Sequence, residues 1–457
     1  MVAICVGCYE KQLRINELEE ENARLRAKLR YQERTAAEGP FGSGTPSSKV
    51  PVKANSLAER QAKRGGGQAG HRGHGRSSVS ADQADREEIL AAPEVCPACR
   101  SGTKSKGYHD RTVTDYEAGR LERARYRVES RRCPRCGKLY TAKPAGVFPR
   151  SEYGNGLLTQ VAVEHYVHGR TLGQLEQQLE IGYGGLMQAM HQLAKRLGSI
   201  PERLIREYRQ SPVKHADETG WRTDGQNGYA WGFFTETLSL FRFRQSRSSA
   251  VAREVFGEKK LPGVLVVDRY SAYNRLRCAI QYCYAHLLRL VQDTEKEFPD
   301  SPEVRTFVAG LAPLLALAMG LRGLKLSRRG YRRRAAEIQK QIQRVVHAPA
   351  RHPAVQRIQD IFRQHANRMY HWAKDPSIPA DNNRAERELR PLVIARKVSF
   401  GSQSDRGART REVLMTVLHT LRKQTADVGV AFKTALDRLA ADPTLDPYPV
   451  LFPPDTS

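Results

Sequence analysis

"GVLVVDRYSAYNRL", residues 263–276, runs four apolar residues, Val264 to Val267, into Asp268 and then into a polar, tyrosine-bearing stretch. The apolar run reads as a short buried strand. A carboxylate ending such a strand needs a reason, because burial disfavours its charged form. The residues upstream supply one. "VKHADETGWR" reads as a short strand carrying Asp217, "GYAWGFFTET" and "LSLFRFRQS" as two antiparallel followers, and "SSAVAREVF" as a short helix ahead of Val264. Neighbouring strands then bring two distant acids together.

Three strands, a helix and a fourth strand, with carboxylates on the first and fourth, is the layout of a ribonuclease-H-like fold, a mixed sheet with flanking helices. Like charges held at short range raise each other's pKa, and a divalent cation removes the conflict. Mg²⁺ or Mn²⁺ takes hard oxygen ligands and keeps room for water and phosphate. Two such ions hold both the attacking and the leaving oxygen of an in-line displacement. A third acid is expected from a helix further on, and "IPADNNRAERELRPLVIARKVSFGS" offers Glu386. The same spacing from Asn383 suits a capping partner, and Arg390 one turn later suits an ordinary helical ion pair. Asp217 likewise has adjacent rivals in Glu218 and Asp224.

Composition narrows the partners. With 75 Lys and Arg against 49 Asp and Glu, the 457-residue chain has a formal charge of +26, which points to a polyanion, nucleic acid ahead of an acidic membrane surface. The longest apolar run, Phe307 to Leu321, contains Pro313 and is short of the roughly twenty residues a membrane span needs, so it reads as a core helix. The N-terminus turns charged too early for a signal peptide, which suggests that the chain stays in a reducing cytoplasm, with its eight cysteines as ligands or buried thiols.

Six segments are expected. Residues 1–35 hold a coiled coil, with Ile15, Leu18, Asn22, Leu25 and Leu29 at spacings of three and four. That seam suits a parallel dimer or a lone amphipathic helix. Cys5 and Cys8 have no second pair nearby. Residues 36–86 are a basic linker, either a phosphate-gripping arm or a plain tether. Residues 87–143 place "CPAC" (Cys96, Cys99) and "CPRC" (Cys133, Cys136) around strand-like sequence, the pattern of a zinc ribbon with a structural Zn²⁺; two unrelated reduced pairs are the alternative. Residues 144–208 are helical, and Leu172, Leu175 and Leu179 facing Leu186, Met190 and Leu193 fit a helix-turn-helix or an ordinary helical hairpin. Residues 209–430 are the catalytic domain, and 431–457 a tail.

"HADETGW", "VVDRYSAYN", "CYAHLLR" and "PADNNRAERELRPLVIARKVSFGS" resemble the signature blocks of the insertion sequence 66 family of bacterial transposases, in the DDE superfamily. The knuckles, the "RGGGQAGHRGHGR" arm and the N-terminal coiled coil follow that family's order. The resemblance implies that Asp217, Asp268 and Glu386 form the metal-binding, catalytic triad, with a helical insertion at about 291–365 filling the 118 positions between Asp268 and Glu386. His286 matches a block near the active site and enters as an auxiliary residue. Arg384, Arg387, Arg390, Arg396 and Lys397 around Glu386 suit strand phosphates. Nine basic residues against one acid between 321 and 344, among them Arg332, Arg333 and Arg334, suit DNA backbone or a solvated helix face.

The expected activity is metal-dependent cleavage and strand transfer on the element's terminal inverted repeats and a target duplex. The protein would act as a homodimer or higher oligomer, with small accessory proteins of the same element as possible partners and no membrane. The competing readings are a DNA-binding regulator without catalysis and a ribonuclease-H-like nuclease that cuts without joining.

Overall fold

The computed structural model describes residues 14–22, 25–26 and 79–453. Leu29, Cys5, Cys8 and nearly all of the basic linker lie outside the described residues, whereas Ile15, Leu18 and Leu25 lie in helical segments with about half of each side chain exposed. The chain divides into two units. One comprises Met1–Pro51, Arg209–Asp217 and Arg247–Arg387; the other comprises Val52–Tyr208, Glu218–Ser246 and Glu388–Ser457.

The elements of the N-terminal half are β1 (Arg86–Leu90), β2 (Lys104–Glu117), β3 (Arg120–Arg132), β4 (Leu139–Thr141), α1 (Asn155–Tyr166), α2 (Leu172–Leu179), α3 (Tyr183–Arg196) and α4 (Ile200–Gln210). Next come β5 (Val213–Thr223), β6 (Gln226–Phe234), β7 (Ser239–Arg244), α5 (Ser249–Phe256), β8 (Val264–Val267) and β9 (Ala279–Tyr282). Helices complete the chain: α6 (Tyr284–Glu297), α7 (Pro302–Gly320), α8 (Arg328–His347), α9 (Pro353–Gln364), α10 (His371–Lys374), α11 (Asn383–Ser399), α12 (Asp405–Gln424), α13 (Val428–Ala441) and α14 (Pro447–Leu451).

Two sheets result. In the first, β3 pairs with β1, β2 and β4. The long β2–β3 hairpin turns on Ala118 and Gly119, both at positive φ. Val113, Ala124, Tyr126 and Val128 form its core with Val147. The second sheet has the strand order β7-β6-β5-β8-β9, with β6 and β7 antiparallel and β5, β8 and β9 parallel. Asp224 and Gly225 join β5 to β6 with φ values of 48° and 68°. A two-residue loop with positive φ at both positions matches the twist of a hairpin, which is why an Asp-Gly pair sits there.

Strand β7 ends this sheet, and α12 covers its edge. Glu412, Thr416 and Thr420 recur every fourth residue on α12 and accept the backbone N–H groups of Phe243, Phe241 and Ser239 at 3.2, 3.1 and 3.1 Å. The helix thereby supplies the acceptors that an edge strand otherwise leaves open to another chain. In the other unit, α7 buries Val304, Phe307, Val308, Leu311, Leu314 and Leu315 and packs against α6, α8 and α9. Pro302–Leu324 is long and apolar enough to cross a membrane by length and composition, and 44% of its most apolar 18-residue stretch is buried among its neighbours. Residues 431–453 of the segment set apart as a tail continue α13 and form α14. Asp427 caps α13 through the Val430 N–H, and Phe432, Leu436 and Leu439 share its buried face. That 3.6-residue apolar period is present in "VGVAFKTALDRLAA" and outweighs the proline-rich end that follows.

Thr416→Val removes the acceptor of the Phe241 N–H at a fully buried position, and should destabilise the fold by about 1–3 kcal/mol. Chemical denaturation measures this, and a loss below about 0.5 kcal/mol would contradict the edge-capping role.

Candidate active site

Register relates the first two acids. Strands β5 and β8 pair in parallel as Val213 with Val264, Lys214 with Leu265 and His215 with Val266. The same offset carried two residues further would set Asp217 level with Asp268, which follows the C-terminal end of β8, where open α/β sheets present their ligands. Strand alternation turns Glu218 to the opposite face, and Asp224 is occupied by the hairpin turn. The two rivals of Asp217 are thereby set apart from it.

Asp268 is 6% exposed, and its Oδ1 accepts the Tyr270 N–H at 2.9 Å. Tyr270 is itself held by its hydroxyl, which donates to the Arg247 carbonyl at 2.6 Å, and by the Arg247 guanidinium 4.1 Å above its ring. Burial pushes the Asp268 carboxyl up to about 6, with Glu386 acting in the same direction; the Tyr270 N–H, Arg247 and Arg269 oppose the shift.

Glu386 lies in the first turn of α11. Its N–H bonds to the Asn382 carbonyl at 3.4 Å, and Asp381 Oδ1 accepts the Asn383 N–H at 3.0 Å. Helical bonding therefore begins at Asn382, and Glu386 is the fourth helical residue, one beyond the place that the spacing from Asn383 suggested for a capping partner. His286, on the first turn of α6, sets Nε2 3.8 Å from Glu386 Oε1. Burial, then Arg289 and Arg269, push the imidazole down to about 4, so at neutral pH the contact is not an ion pair. Its Nδ1 is buried without a hydrogen-bond partner.

The basic residues of α11 divide. Arg387, Arg390 and Lys397 are exposed and Arg384 is half-buried. Arg396 turns inward, where Nη1 bonds to Thr219 Oγ1 at 3.1 Å and to the Gly220 carbonyl. Arg332, Arg333 and Arg334 lie on the exposed face of α8, opposite its buried Tyr331, Ala335 and Ile338. The residue that sequence reasoning passed over is Asn382. It is 1% exposed, and only its place between two polar neighbours in "DNN" set it apart.

The four knuckle thiols form a second centre. Cys96, Cys99, Cys133 and Cys136 bring their sulfurs within 4.8 Å of one another. The Cys96–Cys136 and Cys99–Cys133 separations are 3.6 and 3.5 Å, far beyond a disulfide bond and near the edge of a tetrahedron with metal–sulfur bonds of about 2.3 Å. The two knuckles repeat one backbone turn. Arg100 N–H bonds to the Cys96 carbonyl and Gly137 N–H to the Cys133 carbonyl, each at 2.9 Å, with positive φ at both donors. The donor set and spacing fit zinc. Among the described residues no second set of three such ligand atoms is gathered as closely.

Protonation of Asp268 sets a pH dependence. An unfolded aspartate titrates near 4 and this one near 6, so the native protein binds more protons than the unfolded chain between those values. Stability therefore falls as pH rises through that window, and the penalty is complete above about pH 6. Asp268→Asn should raise the melting temperature of metal-free protein at pH 8 and lose that advantage below about pH 4. Thermal melts in chelator across this range measure it. A variant no more stable than wild type at pH 8 would contradict a raised Asp268 carboxyl.

Comparison with known proteins now gives the arrangement a context. The chain is 24% identical over 404 residues to "Uncharacterized protein y4qI" of Sinorhizobium fredii (strain NBRC 101917 / NGR234), which covers 78% of this chain and 73% of that protein. It is 23% identical over 228 residues to "Uncharacterized protein y4jD" of the same strain, covering 44% of this chain and 42% of that protein. Residues 150–410 match the family described as "Transposase IS66 family", a span that includes Asp217, Asp268, His286 and Glu386. That span is more than half of the chain, and the protein belongs to the transposase IS66 family.

Proposed function

We propose that this transposase binds the terminal inverted repeats of its element and performs metal-dependent DNA cleavage and strand transfer with Asp217, Asp268 and Glu386. The observation that supports the reading is the β5–β8 register, which continued by two residues would set Asp217 level with Asp268, together with an Asp268 carboxyl pushed up by burial and, in the same direction, by Glu386. The strand order, third-second-first-fourth-fifth counted from β5, supports a ribonuclease-H-like core.

Three carboxylates are hard oxygen donors and fit Mg²⁺ or Mn²⁺. Bound in a pair, such ions offset phosphate charge and favour deprotonation of the attacking oxygen. The chain's own residues hold and orient. Asp217 and Asp268 are fixed by the sheet, Glu386 by the start of α11, and neutral His286 lies beside Glu386 as an auxiliary. In cleavage, water adds to phosphorus, the bond to the 3′-oxygen breaks, and a 3′-hydroxyl and a 5′-phosphate result. In joining, that hydroxyl adds to a target phosphorus and the target's own 3′-oxygen leaves. One phosphodiester replaces another, so no external energy source is needed.

DNA contacts follow the same logic. Exposed Arg387, Arg390 and Lys397, half-buried Arg384 and the exposed arginines of α8 suit strand phosphates, whereas inward-turned Arg396 serves the fold. Gln188, Gln192 and Arg196 follow one face of α3 and border a cleft beside Phe148, Ser151 and Tyr153. Such side chains on the second helix of a pair suit base edges in a major groove. The four thiols hold a structural zinc, and the exposed Ile15, Leu18 and Leu25 support pairing of two chains through a coiled coil.

A cleavage and joining assay on DNA carrying the element's ends tests the reading. Asp268→Asn and Glu386→Gln should each reduce both products by more than about 100-fold, since even residues that merely support metal ligands cost 10–100-fold. Cutting without joining would favour a nuclease. End binding without cutting by wild type, with accessory proteins of the element added, would favour a regulator. For the thiols, atomic absorption on purified protein should find one zinc per chain, and Cys133→Ser should lose it together with end binding; metal-free wild type with full end binding would overturn the zinc assignment.

A further inference from the structure

A helix delivers the third carboxylate while strands deliver the first two, so something must hold the start of that helix to those strands. We propose that Asn382 is a positioning residue that sets Glu386 relative to Asp217 and Asp268, an inference that rests on the metal-binding reading of those acids.

Four bonds from one buried residue carry it. The Asn382 Nδ2 donates to the Ala216 carbonyl at 2.9 Å, and its Oδ1 lies 2.9 Å from His215 Nδ1. Its backbone N–H donates to Cys283 Sγ at 3.1 Å, and its carbonyl accepts the Glu386 N–H at 3.4 Å. Each partner adjoins the site. Ala216 precedes Asp217. The Cys283 N–H bonds to the carbonyl of Val267, the residue before Asp268, at 2.8 Å, and His286 follows three residues after Cys283. Asn382, His215, Ala216 and Cys283 are all buried.

The amide is chemically specified. A backbone carbonyl only accepts, so the group facing Ala216 is the NH₂, the oxygen faces His215, and His215 Nδ1 carries the proton. Aspartate has no donor for Ala216, serine is too short to reach both partners, and glutamine carries the amide one methylene too far. An asparagine before a helix ordinarily turns its side chain back to cap the first turn. Here Asp381 accepts the Asn383 N–H instead, and the Asn382 side chain is directed to β5.

Mn²⁺ binding to the full-length protein, followed by electron paramagnetic resonance of the free ion, tests the inference beside the Mg²⁺ dependence of cleavage. Asn382→Ala should bind Mn²⁺ about tenfold more weakly and need correspondingly more Mg²⁺ for half-maximal cleavage. Excess metal should restore part of the rate, and end binding in chelator should stay at the wild-type level, which a general loss of structure would not allow. Asp268→Asn is run in parallel. If it retains wild-type Mn²⁺ affinity, the metal-site reading fails and this inference with it. If it loses Mn²⁺ while folded Asn382→Ala keeps wild-type affinity and Mg²⁺ requirement, the positioning role alone is overturned. Should Asn382→Ala not fold, His215→Phe decides: it removes one of the two side-chain bonds of the amide, and unchanged Mn²⁺ affinity in that variant overturns the proposal.

Discussion

Three backbone pairings between β5 and β8, from Val213 with Val264 to His215 with Val266, decide where the acids of the site can be. Side chains on a strand alternate faces, so a slip of one residue would exchange Asp217 for Ala216 or Glu218 beside Asp268. The register is defended by burial. Val264 and Val266 pack with Ile378 and Val213, and Lys214 reaches the carbonyls of Ser211 and Pro262. Gly263 lies at φ +73°, where an added Cβ would meet the Pro212 carbonyl oxygen at 2.2 Å. The approach of the two strands thus requires a glycine at the entry to β8.

Much of this was legible because it is local. "GVLVVD" has the length and texture of a buried parallel strand, the Asp-Gly pair marks a hairpin, and two CxxC pairs announce a four-thiol site. The paired faces of α2 and α3 follow from leucine and methionine spacing, and all six expected residues are buried. What escaped depends on long-range partners. Arg396 carries the same charge as its exposed neighbours, and only the position of Thr219 and Gly220 turns it inward. Thr416 and Thr420 read as unremarkable helix residues until β7 lies beside them. Asn382 sits where helix caps occur, so its local preference hides its tertiary role.

The acids of the protein are handled in two different ways. Glu412 meets Arg244 at 2.9 Å and is also paired with Arg242, while Glu388 lies 2.6 Å from Lys423. These carboxylates are matched to cations by direct contact. Even Arg411, 6% exposed, finds the His165 ring nitrogen at 2.9 Å and the faces of Tyr166 and Trp221. Asp268 is not settled in that way. Arg247 and Arg269 act on it, yet burial and Glu386 outweigh them and the carboxyl is pushed up.

That imbalance has a direct consequence for chemistry. A carboxyl that holds its proton up to about pH 6 must release it before it can ligate a cation, so on the proposed reading metal binding and proton release would be linked at this residue. The linkage is modest at neutral pH, where the carboxylate form already dominates, and it grows as pH falls. A dication held by the proposed carboxylates would act against both causes of the shift, since it would compensate for lost solvation and shield Asp268 from Glu386. On that reading, an arrangement that is unfavourable as a set of carboxylates would become favourable as a set of ligands.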